Sequence, residues 1–128
     1  MSEHLSDELR DERGDRPSFV FGADVAWDLT GEGVRRRVLG HGTDLMVVRV
    51  EFKAGAIGTV HQHPYLQATY VAAGRFVVTM GEQTSELVSG DCFYAETNVV
   101  HGVRALEDGA LIDFFTPVRR DFLMPGSW

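Results

Sequence analysis

From Ser18 onward the chain breaks into short apolar-rich runs separated by glycine, and this spacing leaves little choice of architecture. The runs read as strands at 24–28, 34–40, 44–53, 58–61, 66–73, 75–80, 83–88, 92–95, 100–105 and 109–116. Gly31, Gly33, Gly40, Gly42, Gly55, Gly74, Gly81, Gly90 and Gly109 fall between them or at their edges. Valine, threonine, phenylalanine and tyrosine are common inside the runs, as a pleated, half-buried surface favours. After residue 18 no segment repeats its apolar residues at helical spacing. Ten short strands at such intervals predict an all-β fold, an antiparallel sandwich or barrel. The 128 residues suffice for one domain.

The N-terminus has a different character. Residues 1–17 read as a solvated tail and 18–128 as the folded domain. The first sixteen positions hold six carboxylates (Glu3, Asp7, Glu8, Asp11, Glu12, Asp15) and three arginines (Arg10, Arg13, Arg16), with Leu5 and Leu9 too few to anchor a helix. At the other end, Arg119–Trp128 adds either one short helical turn or a packed tail. The net charge of -7 argues against nucleic acid as the main partner, although a few local arginines could still hold a small anion. Cys92 is the only cysteine, so no internal disulfide forms, which suits a reducing compartment. The N-terminal stretch lacks a basic segment followed by an apolar run. No apolar stretch approaches the roughly 20 residues that span a bilayer. A cytoplasmic protein with no membrane partner is expected.

Chemistry gathers around His61–Gln62–His63. In a strand, side chains two apart share a face, so both imidazoles can reach one interior point. Gln67 follows four residues later, beyond the bend expected at Pro64, and His101 opens a later strand able to run beside the first. His4, in the tail, and His41, in a glycine turn, read as ordinary surface or packed histidines.

Gly55, five residues, His61-x-His63, three residues, Gln67, six residues and Gly74 resemble the first motif of the cupin superfamily, with glutamine where glutamate is usual. Gly90, five residues, Glu96-x-Asn98, two residues and His101 resemble the second, with Glu96 and Asn98 replacing the usual proline and glycine. Ala105 stands where asparagine is common. The resemblance implies a single-domain cupin, a jelly-roll-like β-barrel. It also implies a divalent transition metal (Ni, Zn, Fe, Mn or Co) held at its centre by His61, His63, Gln67 and His101. Imidazoles suit all of these ions. Gln67 would bind through a neutral amide oxygen, leaving the dipositive charge uncompensated and favouring Lewis-acid chemistry over oxidation. Alternatively Gln67 hydrogen-bonds beside an all-histidine site.

In Leu111-Ile112-Asp113-Phe114-Phe115-Thr116, Asp113 and Phe115 share one face. Two orientations are open to Asp113: outward into water or an arginine, or into the pocket as a general acid or base. The stretches GEGVRRRVLG, HQHPYLQ and VHGVRALEDGALIDFFTPVRRDFL resemble the KdgF-like, ketouronate-linearising cupins of pectin and alginate breakdown, from about Trp27 to Leu123. That resemblance implies conversion of 4,5-unsaturated monouronates into linear ketouronates. It implies Asp113 as acid/base, Phe115 lining the sugar site and Arg119 pairing with the uronate, although Arg119 or Arg120 could be the inward arginine. Related N-terminal strands often pair across a dimer, so Val25 and Trp27 imply a homodimer. Tyr65 and Tyr70 read as core packing or pocket mouth, Arg49 and Arg75 as outward, and Met46, Met80 and Cys92 as core. Two other functions stay open: a cupin dioxygenase or isomerase on another oxygen-rich molecule, and a non-catalytic sugar-acid binding module.

Overall fold

A computed structural model describes residues 18–123. The expected tail, residues 1–17, and residues 124–128 lie outside the described residues, as does His4. Ten strands form: β1 Asp28–Gly31, β2 Val34–His41, β3 Met46–Phe52, β4 Ile57–His61, β5 Leu66–Ala73, β6 Arg75–Met80, β7 Gln83–Val88, β8 Cys92–Ala95, β9 His101–Ala105 and β10 Gly109–Thr116. Nine of these agree with the sequence reading to within two residues at each end. The first does not. Residues 22–24 form a 3-10 turn closed by Val25 N–H donating to Gly22 O at 3.1 Å. The strand therefore starts only at Asp28, and Trp27 lies just before it with its ring under the guanidiniums of Arg35 and Arg37.

The strands form two antiparallel sheets, ordered β1-β2-β3-β10-β5-β8 and β4-β9-β6-β7. They stack as a jelly-roll-like sandwich and do not join into a closed barrel. Alternation makes the sandwich possible: in β3, Met46, Val48, Val50 and Phe52 are buried while the residues between them are not. Phe52 from the larger sheet meets Phe76 from the smaller one edge-on at 5.3 Å. Burying each ring stabilises the fold by about 2 kcal/mol relative to exposure. Met46 is fully buried and Met80 packs against the core, but Cys92 is exposed, so its place in the core is corrected. Its register partner is Tyr70, itself 45% exposed on the outer face of the same sheet. Arg49 and Arg75 pair with acidic neighbours, Glu51 for the first, Glu86 and Glu107 for the second. No helix among the described residues is long and apolar enough to cross a membrane.

Two details of the backbone place the site. Gly74 has φ +85, and a Cβ there would lie 2.6 Å from Asp108 O, so only glycine allows β5 to turn into β6. Asn98, where the resemblance expects glycine, has φ 63, a left-handed conformation that asparagine tolerates better than most residues. Its N–H donates to His63 O at 2.7 Å, which ties the turn before β9 to the loop carrying His63.

Candidate metal centre and its cavity

His61 ends β4 and His101 opens β9, and the two are register partners on neighbouring strands. His63 lies beyond the end of β4, in the connection to β5, so loop geometry and not strand parity brings it in. Gln67 comes from β5 in the opposite sheet. The three rings converge, with centroids 4.5 Å (His61–His101), 4.8 Å (His63–His101) and 5.3 Å (His61–His63) apart. One ring nitrogen from each lies within 4.8 Å of the others. His63, Gln67 and His101 are buried, whereas His61 is exposed.

Hydrogen bonding fixes what these rings present. His61 Nδ1 lies 2.6 Å from Thr59 O, His63 Nδ1 3.1 Å from Tyr65 O and His101 Nδ1 2.8 Å from Val99 O. A carbonyl only accepts, so each Nδ1 carries the proton and each Nε2 is left with its lone pair. Gln67 Oε1 sits 2.9 Å from His63 Nε2 and 3.1 Å from His101 Nε2. Acceptors crowded at one point repel one another unless a cation lies among them. Neutral imidazoles and an amide oxygen are also the donor set that a divalent transition metal takes, so the residues fit such an ion. Burial holds the pKa of both His63 and His101 below the ordinary imidazole range, and the nearby charges of Arg119 and the other imidazoles act in the same direction. Both rings therefore stay neutral and able to ligate at neutral pH.

On β10, Asp113 faces Thr69 of β5 and Phe115 faces Gln67, as direct register partners. Asp113 Oδ1 accepts from Thr69 Oγ1 at 2.6 Å and from Gln67 Nε2 at 3.3 Å. Gln67 Nε2 also donates to Thr69 Oγ1 at 2.8 Å. Burial pushes the Asp113 carboxyl up to about 6, against the opposing pull of the Thr69 hydrogen bond and of Arg119. Of the two orientations open to Asp113, the inward one is found.

Of these groups, His61, Gln67, His101, Asp113 and Phe115 line a cavity of about 1050 Å³. Arg119 also faces it, with its side chain 14% exposed, while Arg120 is exposed. The Arg119 guanidinium pairs with Asp121 at 2.8 Å and lies near the rings of Tyr65, Phe115 and Phe122. Tyr65 is half-buried against the core. Sequence reasoning missed Arg36, which also lines the cavity. Its guanidinium stacks 3.5 Å from the Phe122 centroid, and that of Arg119 lies 3.9 Å from the same centroid. Burial, with Arg119 alongside, draws the Arg36 pKa down to about 10. Parity with inward-facing Val34 and Val38 was the signal that Arg36, the middle of three consecutive arginines, points in.

Comparison with known proteins agrees with this geometry. The family model described as "Cupin domain" matches residues 48–115. The "Pectin degradation protein KdgF" of Dickeya dadantii (strain 3937) is 44% identical over 102 residues, covering 78% of this chain and 93% of that protein. The structure of KdgF from Halomonas sp. superposes with a TM-score of 0.79 at 39% identity, covering 82% of this chain and 97% of that one. An RmlC-like cupin from Shewanella frigidimarina NCIMB 400 gives a TM-score of 0.80 at 38% identity over 82% and 95% of the two chains.

Proposed function

The chain belongs to the cupin family, and on that premise we propose that it is a metal-dependent, non-redox enzyme on 4,5-unsaturated monouronates. These products of pectin and alginate breakdown would leave as linear ketouronates. The observation that carries the reading is the Asp113 carboxyl, bonded to Gln67 and opening onto the cavity that His61 and His101 also line. Likeness to two proteins called KdgF, one of them named for pectin degradation, supports the substrate class. His61, His63, Gln67 and His101 would hold a divalent transition metal, which would supply Lewis-acid charge for the substrate's oxygens.

The chain's own residues account for the proton movements. A carboxyl pushed up to about 6 both holds and releases a proton near neutrality, as acid–base work requires. Asp113 gives its proton to C4 of the unsaturated ring while water attacks C5, and the resulting carboxylate takes one of the water's protons, so the C4–C5 double bond is consumed and a hydroxyl is left on C5. Asp113 then gives this proton to the ring oxygen as the bond from C5 to that oxygen breaks, and takes the C5 hydroxyl proton in exchange, which restores the acid. C5 becomes a ketone, and C1, now bearing two hydroxyls, loses water to the aldehyde. Substrate and product are isomers, and no external electron acceptor is needed. Phe115 gives the sugar ring an apolar wall, and the Arg119 guanidinium binds the uronate carboxylate.

Metal-loaded protein incubated with an unsaturated monouronate should speed the loss of its conjugated ultraviolet band. A rate equal to buffer would overturn the reading. Arg36, across Phe122 from Arg119, provides the second positive wall. Arg36→Met keeps an unbranched apolar stem, shorter than arginine's, but removes a charged hydrogen bond, an interaction of about 1.5–3 kcal/mol. Steady-state kinetics should show KM raised about tenfold or more with kcat little changed. An unaltered KM would take Arg36 out of substrate binding.

A further inference from the structure

Thr69 is fully buried, and its hydroxyl has a single proton to place. Two neighbours compete to decide its direction. Asp113 Oδ1, a carboxylate oxygen, lies at 2.6 Å and can only accept when ionised. The Gln67 amide lies at 2.8 Å and could turn either end toward the hydroxyl. Because the proton goes to Asp113, the Thr69 oxygen has only lone pairs left for Gln67, and these demand the amide NH2. The same NH2 reaches Asp113 at 3.3 Å. With its nitrogen committed on that side, the amide must turn its oxygen toward His63 and His101. The opposite orientation would aim two N–H groups at the imidazole lone pairs and keep a cation out.

We propose that Thr69 is a positioning residue whose one hydroxyl proton sets the direction of the Gln67 amide. Through that choice it aims the amide oxygen at the metal-binding imidazoles and holds the Asp113 carboxylate toward the substrate. The proposal rests on Gln67 being a metal ligand in the reading above. It also accounts for the amide at this position, where the family motif usually has a carboxylate. Glutamate would offer no donor to Thr69 or Asp113, and one hydroxyl proton would then serve two carboxylates.

Cobalt(II) is the probe, because its visible spectrum reports its ligands without reference to turnover. Thr69→Val keeps the shape and removes the hydroxyl. It should weaken cobalt(II) binding and lower kcat by roughly 10–100-fold each, as loss of a partner that orients a ligand typically does. It should also change the cobalt spectrum while leaving KM within about threefold, a span below a single lost hydrogen bond to a charged group. Thr69→Ser restores the proton and should return all three towards the parent protein. A Thr69→Val protein that melts lower but binds cobalt(II) with the parent affinity and spectrum would make Thr69 a packing residue and overturn the proposal. Serine failing as badly as valine would do the same. If the valine variant does not fold, Thr69→Ala set against Thr69→Ser gives the same comparison. Should the parent protein prove inactive on uronates, the function falls, but the cobalt measurements still decide the role of Thr69.

Discussion

Asp113→Asn is expected to lower turnover of an unsaturated monouronate by roughly 10²–10⁴-fold, the usual contribution of a positioned acid–base group. Metal binding should survive, because the asparagine oxygen can still accept from Thr69 and Gln67 where the carboxylate did. The same substitution should make the metal-free protein more stable above pH 6. Burial raises the Asp113 pKa from an ordinary 3.8 to about 6, so the folded state holds this proton more tightly than the unfolded chain. Its contribution to stability is fully present below pH 4 and is lost as pH rises through about 6. Beyond that the buried charge costs about 3 kcal/mol, two units at 1.36 kcal/mol each. Asparagine removes this cost at pH 8 and changes little at pH 4. Denaturant titrations of both metal-free proteins at the two pH values test this, and an equal difference at both would show that charge burial at Asp113 is not the cause.

The residues that ligate and the residues that orient them were unequally legible in the sequence. His61, His63, Gln67 and His101 stand out because spacing and residue type both limit what they can do. Parity also paired Asp113 with Phe115 correctly, since β10 keeps an unbroken register from Leu111 to Thr116. His63 does converge with His61 as expected, but not through parity, because the strand had already ended. Parity was not applied to Arg36, hidden among three arginines although two inward valines flank it. Thr69 carries only the weak signal that it shares Gln67's face on β5, and the distances to Gln67 and Asp113 give it a role. Closure of the sheets was invisible, because strand period fixes which face is buried and not which edges meet. The misplaced first strand has a local cause, the 3-10 turn at residues 22–24.

His61→Ala should isolate metal binding from folding better than any other ligand substitution. His63 and His101 are buried, at 6% and 3% exposure, so truncating either opens a hole in the core. His61 is exposed, and the metal-free protein should lose no more than about 0.5 kcal/mol without it, as surface substitutions usually do. Metal affinity should nevertheless fall by more than the roughly 10–100-fold seen when only an outer partner of a ligand is removed. The two effects separate in thermal melts. A metal present at a hundred times its dissociation constant stabilises a folded protein by about 2.7 kcal/mol. If the variant binds a hundredfold more weakly, the same concentration only half-saturates it, and the stabilisation shrinks to about 0.4 kcal/mol. The parent should therefore melt several degrees higher on adding zinc or cobalt, while the variant barely moves from an unchanged metal-free midpoint. An equal rise in both would mean that the metal is held without His61, and that the exposed imidazole belongs to the mouth of the cavity.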